Sequence, residues 1–477
     1  MKRIGIIGGG ITGLAAANRL TELSKVNFHP LQIVILEASD RLGGVIQTEH
    51  RDGFLLEHGP DSFLSEKPET VDLARRLGLE SHLQETTTEH RRSFIVNRNR
   101  LVALPSGFNL LAPSKLWPFV TSDLLSWSGK ARMALELLLP KGEMNGDESL
   151  ASFVRRRFGQ EALERIAQPM IGGIYTADPE QLSVGSTMPR FLEMERNDRS
   201  LIMSLRKQAR KKPLTAEASG ARYSLFLTFD RGMQILVDRV AAQLPSAAVQ
   251  LNTRVVSLSR SPDSEGWITR DSSGNNQSSD AVCVTLTAPV AAKLVNEASD
   301  KLAHELSSIP HASTATINLA YNRDDIPHRL DGFGFVVPFI EKRSLLACTF
   351  SSVKFAGRAP QGKVLLRAFV GGALQPEMFA LDEQEMLDHV LQDLRELLGV
   401  EAKPLFSRVA KWPGSMPQYH VGHLDRIKRI ENLAQHLPNF SIAGNAYTGA
   451  GISDCIREGE RAAGESWISA YRQQNPA

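Results

Sequence analysis

The residues with the clearest chemistry in this chain are glycines. Gly8-Gly9-Gly10-Ile11-Thr12-Gly13 follows an apolar run and precedes a helix-forming one. Gly8 permits a tight turn, Gly10 lets backbone approach a pyrophosphate, and Gly13 lets a helix pack closely on a strand. The unpaired N–H groups and dipole of the helix then favour phosphate. Glu37 stands 24 residues beyond Gly13, where a carboxylate accepts hydrogen bonds from an adenosine ribose. Far along the chain, Gly444 ends a second apolar run. Gly449-Ala450-Gly451 then opens a helix near Ile452 and Ser453. Two anion-binding turns more than 400 residues apart imply a cofactor domain assembled from both ends of the chain.

The elements that must position them follow from the pattern. Residues 3–7 read as a buried parallel strand, Leu14 to Leu20 as a helix, and Leu31 to Leu36 as a second strand ending at Glu37. After Ala38, the stretch Arg41-Leu42-Gly43-Gly44 passes backbone close to a second phosphate or ribityl chain and supplies a cation, which distinguishes FAD from soluble NAD. Residues 225–240 read as strand, turn and amphipathic helix, and Leu251 to Leu258 and Ala281 to Thr287 as strands, an order that fits a chain returning to the nucleotide sheet. Residues 312–322, Gly334 to Val337, Leu345 to Phe350 and Val364 to Phe369 read as an antiparallel sheet, with a helix at Asp382 to Leu398.

The fold expected is α/β, α+β overall. A Rossmann-like FAD-binding domain is built from residues 1–90, 215–297 and 405–477. Residues 298–404 form a mixed or antiparallel-sheet substrate domain. Residues 91–214 form a helical subdomain. There, Trp117, Phe119 and Trp127 interleave with Lys115, Lys130 and Arg132, a pattern suited to a membrane interface or to ordinary helix packing.

The 477 residues carry 55 Lys+Arg against 53 Asp+Glu, so no global field recruits nucleic acid. The basic run Arg206 to Lys212 is short and reads as solvated surface. Cys283, Cys348 and Cys455 lack CxxC spacing, which argues against disulfides or zinc and suits a reducing compartment. The glycine-punctuated N-terminal stretch is wrong for a signal peptide, and no apolar run approaches the roughly 20 residues of a membrane span. The expected location is cytoplasmic, with peripheral contact at the inner membrane face left open.

Glu37-Ala38-Ser39-Asp40-Arg41-Leu42-Gly43-Gly44, Gly53-Phe54 and Glu57-His58-Gly59-Pro60-Asp61-Ser62-Phe63 resemble the FAD flavoproteins that include amine oxidases and phytoene desaturases. Leu104-Pro105-Ser106-Gly107, Gly173-Ile174-Tyr175, Gly332 to Pro338, Phe369-Val370-Gly371-Gly372 and Ser415 to His423 narrow the resemblance to porphyrinogen oxidases of heme synthesis, in the Gram-positive form. That resemblance implies non-covalent FAD held by Gly8, Gly10, Ile11, Thr12, Gly13, Glu37, Ala38, Arg41, Leu42, Gly43 and Gly44. Gly59, Pro60, Asp61, Ser62, Gly444, Gly449, Gly451, Ile452 and Ser453 complete the cradle. Val255 would contact adenine through its backbone, and Trp412 would sit by the flavin. His58 reads as packing or flavin contact, and Cys455 as no site for a thioether.

Met170, Gly173, Phe333, Gly334, Phe335, Val336 and Phe369 would line an apolar slot for the macrocycle. Arg92 would pair with a propionate, in competition with Arg91 and Arg98, and with Lys67 also available. The implied reaction removes six hydrogens in three flavin cycles, with dioxygen reoxidising the flavin to give peroxide. No acid–base triad, nucleophile motif or metal is expected, because aromatisation drives the reaction. Coproporphyrinogen III is the substrate implied, with protoporphyrinogen IX the alternative and handover to a ferrochelatase an expectation. Competing readings are an amine oxidase or carotenoid desaturase, and a non-enzymatic escort protein that would have lost the glycines.

Overall fold

In a computed structural model the chain is described over residues 1–109, 111–142, 146–211, 226–262 and 264–471. The expected boundary at 214/215, together with Leu110, Lys212 and Leu225, lies outside the described residues.

A five-stranded parallel sheet organises the nucleotide half. Its order from one edge is Val249–Gln250, Leu31–Leu36, Lys2–Ile7, Ala281–Val284 and Phe440–Ile442. The strands are β-branched and apolar because both faces are covered. Ile4, Ile6, Ile33, Ile35 and Cys283 pack on one side with the helices Ile11–Asn27, Gln234–Gln243 and Ile452–Tyr471. Ile7, Val282 and Val284 pack on the other with the helices Ala288–Val295 and Asp300–Ser307.

Two expected members of this sheet are elsewhere. Val255–Arg260 pairs with Trp267–Asp271 in a separate three-stranded antiparallel sheet; only Val249–Gln250, just ahead of it, joins the parallel sheet. Phe226–Phe229 pairs with Phe63–Leu64 and Leu83–Glu85. Both are short runs whose partners are remote in sequence, which periodicity cannot reveal.

The second sheet has seven strands, ordered Phe406–Pro417, His311–Asn322, Lys363–Gly371, Ala347–Phe350, Gly334–Val336, Phe94–Asn97 and Arg100–Ala103. The strands expected at 312–322, 334–337, 345–350 and 364–369 are all present. Three members come from segments read otherwise: Phe94–Asn97 and Arg100–Ala103 from the helical segment, and Phe406–Pro417 from the third nucleotide segment. One face is covered by the helix Glu383–Leu398, through Met386, Val390 and Leu394 against Ile317, Leu319, Leu366 and Val370. Asp382 caps that helix, its carboxylate accepting the Glu385 N–H at 2.8 Å.

The helical subdomain has a core of its own around Phe153, Phe158, Leu163 and Met170. Inside it, fully buried Glu136 pairs with Arg157 and accepts the Leu201 N–H at 2.8 Å. Removing either partner would strand a buried charge.

Candidate active site

The first glycine turn is built as its sequence requires. Gly8 has φ 110°, a conformation open to glycine, and its N–H donates to the Leu36 carbonyl at 2.9 Å. A Cβ on Gly13 would run into the Gly8 carbonyl oxygen. A Cβ on Gly10 would meet nothing within 4 Å. The first intrahelical bond nearby is Leu14 N–H to Gly10 carbonyl. The N–H groups of Ile11, Thr12 and Gly13 therefore lie ahead of it, free of intrahelical partners. The result is an open cradle of donors at a helix start, with no acid in the first turn.

Glu37 leaves its strand beside this cradle. One carboxylate oxygen accepts the Gly9 N–H at 2.6 Å, and the other accepts the Ser39 N–H and hydroxyl at 2.8 and 2.7 Å. A carboxylate has about four acceptor sites, so capacity remains for a ribose hydroxyl. Ala38 is exposed next to it. Val255 opens its strand two residues after Thr253, whose N–H donates to the Glu37 carbonyl at 2.7 Å. Leu42, Gly43 and Gly44 fold back on the first turn: the Gly43 N–H donates to Gly9 at 2.9 Å, and a Gly44 Cβ would lie 3.2 Å from the Gly10 Cα. Arg41 donates to the carbonyls of Leu42, Gly44 and Ile46, so it organises the loop rather than standing free.

The second turn meets the first. Gly444, Gly449 and Gly451 lead to the helix Ile452–Tyr471, which crosses Ile11–Asn27 so closely that a Cβ on Gly459 would strike the Thr12 carbonyl oxygen. Ile452 and Ser453 are buried at its start, and the Ser453 hydroxyl lies 2.7 Å from that of Thr70. Asp454 is held by Lys67 and by Arg457 at 2.8 Å, so Lys67 is committed here. The Cys455 thiol is buried and pushed up to about 12 by that burial, which keeps it protonated.

The segment Glu57–Ser62 is fastened to the seven-stranded sheet. Asn318 Nδ2 donates to the Glu57 carbonyl at 3.0 Å, and Thr316 Oγ1 and Trp412 Nε1 donate to the His58 carbonyl at 2.6 and 2.9 Å. Arg367 donates to the Gly59 carbonyl. Asp61 takes an ion pair from Lys354 at 3.0 Å; although burial opposes ionisation, the Lys354 and Arg367 charges hold its carboxyl well below the usual range. Pro60 and Ser62 flank it half-buried, with Ser62 Oγ donating to Asp61 at 2.8 Å. His58 is buried with Nε2 2.9 Å from Glu49, a packed residue rather than an open base.

The slot residues divide by strand register. Ile95, Val336, Ala347, Phe369, Thr316 and Ala410 stand opposite one another across the sheet, so their side chains share the face that carries the Glu57–Ser62 turn. Gly334 is on that face through Thr349 and Arg367. The helix Gln168–Tyr175 covers it: a Cβ on Gly173 would touch Val336 Cγ1 at 3.6 Å, and Met170 shares the same core. Phe335 departs from expectation. Strand alternation turns it to the opposite face, against Phe350 at 6.1 Å between rings. Phe333 is buried just ahead of the strand, its N–H donating to the Arg92 carbonyl at 2.8 Å.

Of the three arginines in competition, Arg91 donates to the carbonyls of Thr86 and Thr87. Arg98 is exposed at a hairpin tip with φ 52°. Arg92 is half-exposed and paired with Asp331, its guanidinium 5.4 Å from the ring of Phe94, on the face of the sheet that Phe335 takes and Val336 does not. Sequence reading missed Arg367, Thr316 and Asn318; a lone cation inside the apolar run Val364–Val370 was the signal for the first. Among the described residues no group of three or more His, Cys, Asp or Glu is placed to hold a metal.

The family model for flavin containing amine oxidoreductases matches residues 11–465. The chain belongs to that family. Its cofactor is accordingly FAD, and the first turn fits it because a Cβ on Gly10 would meet no protein atom within 4 Å and the N–H groups of Ile11, Thr12 and Gly13 have no intrahelical partner. The chain is 37% identical to coproporphyrinogen III oxidase of Bacillus subtilis (strain 168), over 98% of both chains. It is 33% identical to coproporphyrinogen III oxidase of Staphylococcus aureus (strain NCTC 8325 / PS 47), over 97% of this chain and 98% of that one. A crystal structure from Exiguobacterium sp. 255-15, provisionally named protoporphyrinogen oxidase, superposes with TM-score 0.86 at 30% identity, over 97% and 98% of the two chains.

Proposed function

We propose that this flavoprotein oxidises coproporphyrinogen III to coproporphyrin III, with FAD bound non-covalently, dioxygen as acceptor and hydrogen peroxide as product. The observation that carries the reading is the apolar face of Gly334, Val336 and Phe369, roofed by Met170 and Gly173 and set against the Glu57–Ser62 turn. A flat, nonpolar macrocycle suits such a slot, and similarity to proteins named coproporphyrinogen III oxidase supports that choice. Bound FAD supplies hydride acceptance. The protein's residues orient the ring and exclude water, which is what a reaction driven by aromatisation requires of them. Cys455, buried and protonated, is unsuited to a flavin thioether, which supports the non-covalent mode.

Arg92 is the proposed propionate anchor. Resemblance to porphyrinogen oxidases supports it rather than its place on the sheet, since its guanidinium lies over Phe94, and a propionate would take the place of Asp331. The proposed location is the cytoplasm. Exposed Trp117, Trp127, Leu135 and Leu138, with Lys130 Nζ 4.4 Å from the Trp127 ring centre, support peripheral membrane contact. Among the described residues no helix is long and apolar enough to span a bilayer. A ferrochelatase would then receive the product.

The test is porphyrin fluorescence and peroxide release from holoenzyme in air, with coproporphyrinogen III and protoporphyrinogen IX side by side. Faster turnover of the former supports the reading. Preference for the latter overturns the substrate, and oxidation of neither overturns the reaction. Flotation with anionic liposomes decides the membrane contact: protein that stays wholly soluble removes it.

A further inference from the structure

The segment from Ser415 to His423 leaves the edge of the seven-stranded sheet and ties together two other parts of the molecule. Gln418 Nε2 donates to the carbonyl of Tyr175 at 3.2 Å, the last residue of the helix that carries Met170 and Gly173. The Tyr419 carbonyl accepts the Ser183 N–H at 2.8 Å. The Tyr419 ring is only 2% exposed and belongs to the core of the helical subdomain, 6.2 Å from the Tyr175 ring and stacked on His423 at 4.5 Å. Its hydroxyl leaves that core and donates to the carbonyl of Asn445, inside the second glycine turn. Asn445 answers with Nδ2 donating to the Ser415 carbonyl at 3.0 Å.

One side chain is thus held by its ring on the substrate side and by its hydroxyl on the flavin side. A buried tyrosine hydroxyl needs a hydrogen-bond partner, and the Asn445 carbonyl is that partner. The ring has one place in the packed core, so the glycine turn is drawn to a fixed distance from the helix Gln168–Tyr175.

We propose that Tyr419 is a positioning residue: with Gln418 it sets the spacing between the substrate helix and the glycine turn Gly444–Gly451, and so governs flavin reduction by substrate. The identity of the substrate rests on the porphyrinogen reading, whereas the coupling of the two segments does not.

Tyr419→Phe removes the hydroxyl and keeps the ring. FAD content and Tm are expected to stay near wild type. Flavin reduction by coproporphyrinogen III in stopped flow should slow by about 10- to 100-fold, the scale of a sub-ångström to ångström misplacement. KM and reoxidation by dioxygen should hardly change. Hydrogen exchange, measured without substrate, should rise together in residues 168–175 and 444–451. Gln418→Met cuts the other arm at equal length, and it should give the same split even where Tyr419→Phe does not fold. Exchange unchanged in either segment, or both half-reactions slowed alike, overturns the positioning role. Wild-type flavin that no porphyrinogen reduces overturns the substrate reading instead, and the exchange comparison still decides Tyr419.

Discussion

Burial decides the behaviour of single residues here. Glu57 is 4% exposed and its carboxyl is pushed up to about 7 by that burial, only partly offset by the Met233 N–H and the Thr48 hydroxyl, each 2.8 Å away. A carboxyl whose folded value lies above its unfolded one favours folding at low pH, and that contribution is lost as pH rises through about 7. Glu57→Gln should therefore gain stability relative to wild type between pH 5 and 8, by up to about 3 kcal/mol. Urea melts at both pH values read it; an unchanged difference refutes it. Gly10→Val fills the one open position of the cradle and should yield colourless protein, judged by flavin absorbance. Arg92→Ala removes a charge-assisted bond of roughly 1.5–3 kcal/mol, so kcat/KM should fall about 10- to 150-fold with FAD loading intact. Arg91→Ala and Arg98→Ala, assayed alongside, show whether another arginine holds the propionate.

Among elements, the pair of helices Ile11–Asn27 and Ile452–Tyr471 matters most. Each begins at a glycine turn, and Gly459 lets them cross with backbone against backbone. A methyl there meets the Thr12 carbonyl and lies 3.1 Å from the Ala15 Cβ. Gly459→Ala should cost about 1–3 kcal/mol as overpacking. It should also weaken FAD, because spreading the helices moves both sets of N-terminal donors. Wild-type FAD affinity in a destabilised variant would separate the two effects and remove the second.

Over the whole molecule, Asn318, Thr316, Trp412 and Arg367 tether the segment 57–59 to the seven-stranded sheet, and the Gly43 N–H upstream in the same stretch of chain donates to the Gly9 carbonyl in the turn that follows the parallel sheet's central strand. Heat should then unfold the described core in a single transition. Excess FAD should raise its Tm, the stabilisation being about 2.7 kcal/mol at 100 times Kd. Calorimetry with two transitions, only one of them FAD-dependent, would show the sheets to be independent.

Local signals carried a large part of this protein. Gly8, Gly10, Gly13 and Glu37 declare a dinucleotide turn because steric demands on a few adjacent residues create it. The runs 312–322 and 364–369, rich in apolar residues, declare strands for the same reason. What only tertiary structure decided is pairing across distance. Val255–Arg260 is a strand in either account, but its neighbours Trp267–Asp271 took it from the parallel sheet. Phe335 fits an apolar slot by type, yet the period of two turns it away from Val336. Arg92 is a free cation in sequence and a partner of Asp331, 239 residues later, in the fold. Side-chain type and local spacing are written in adjacent residues. Which face a residue takes, and which distant charge it meets, is set by the free energy of packing the whole chain at once.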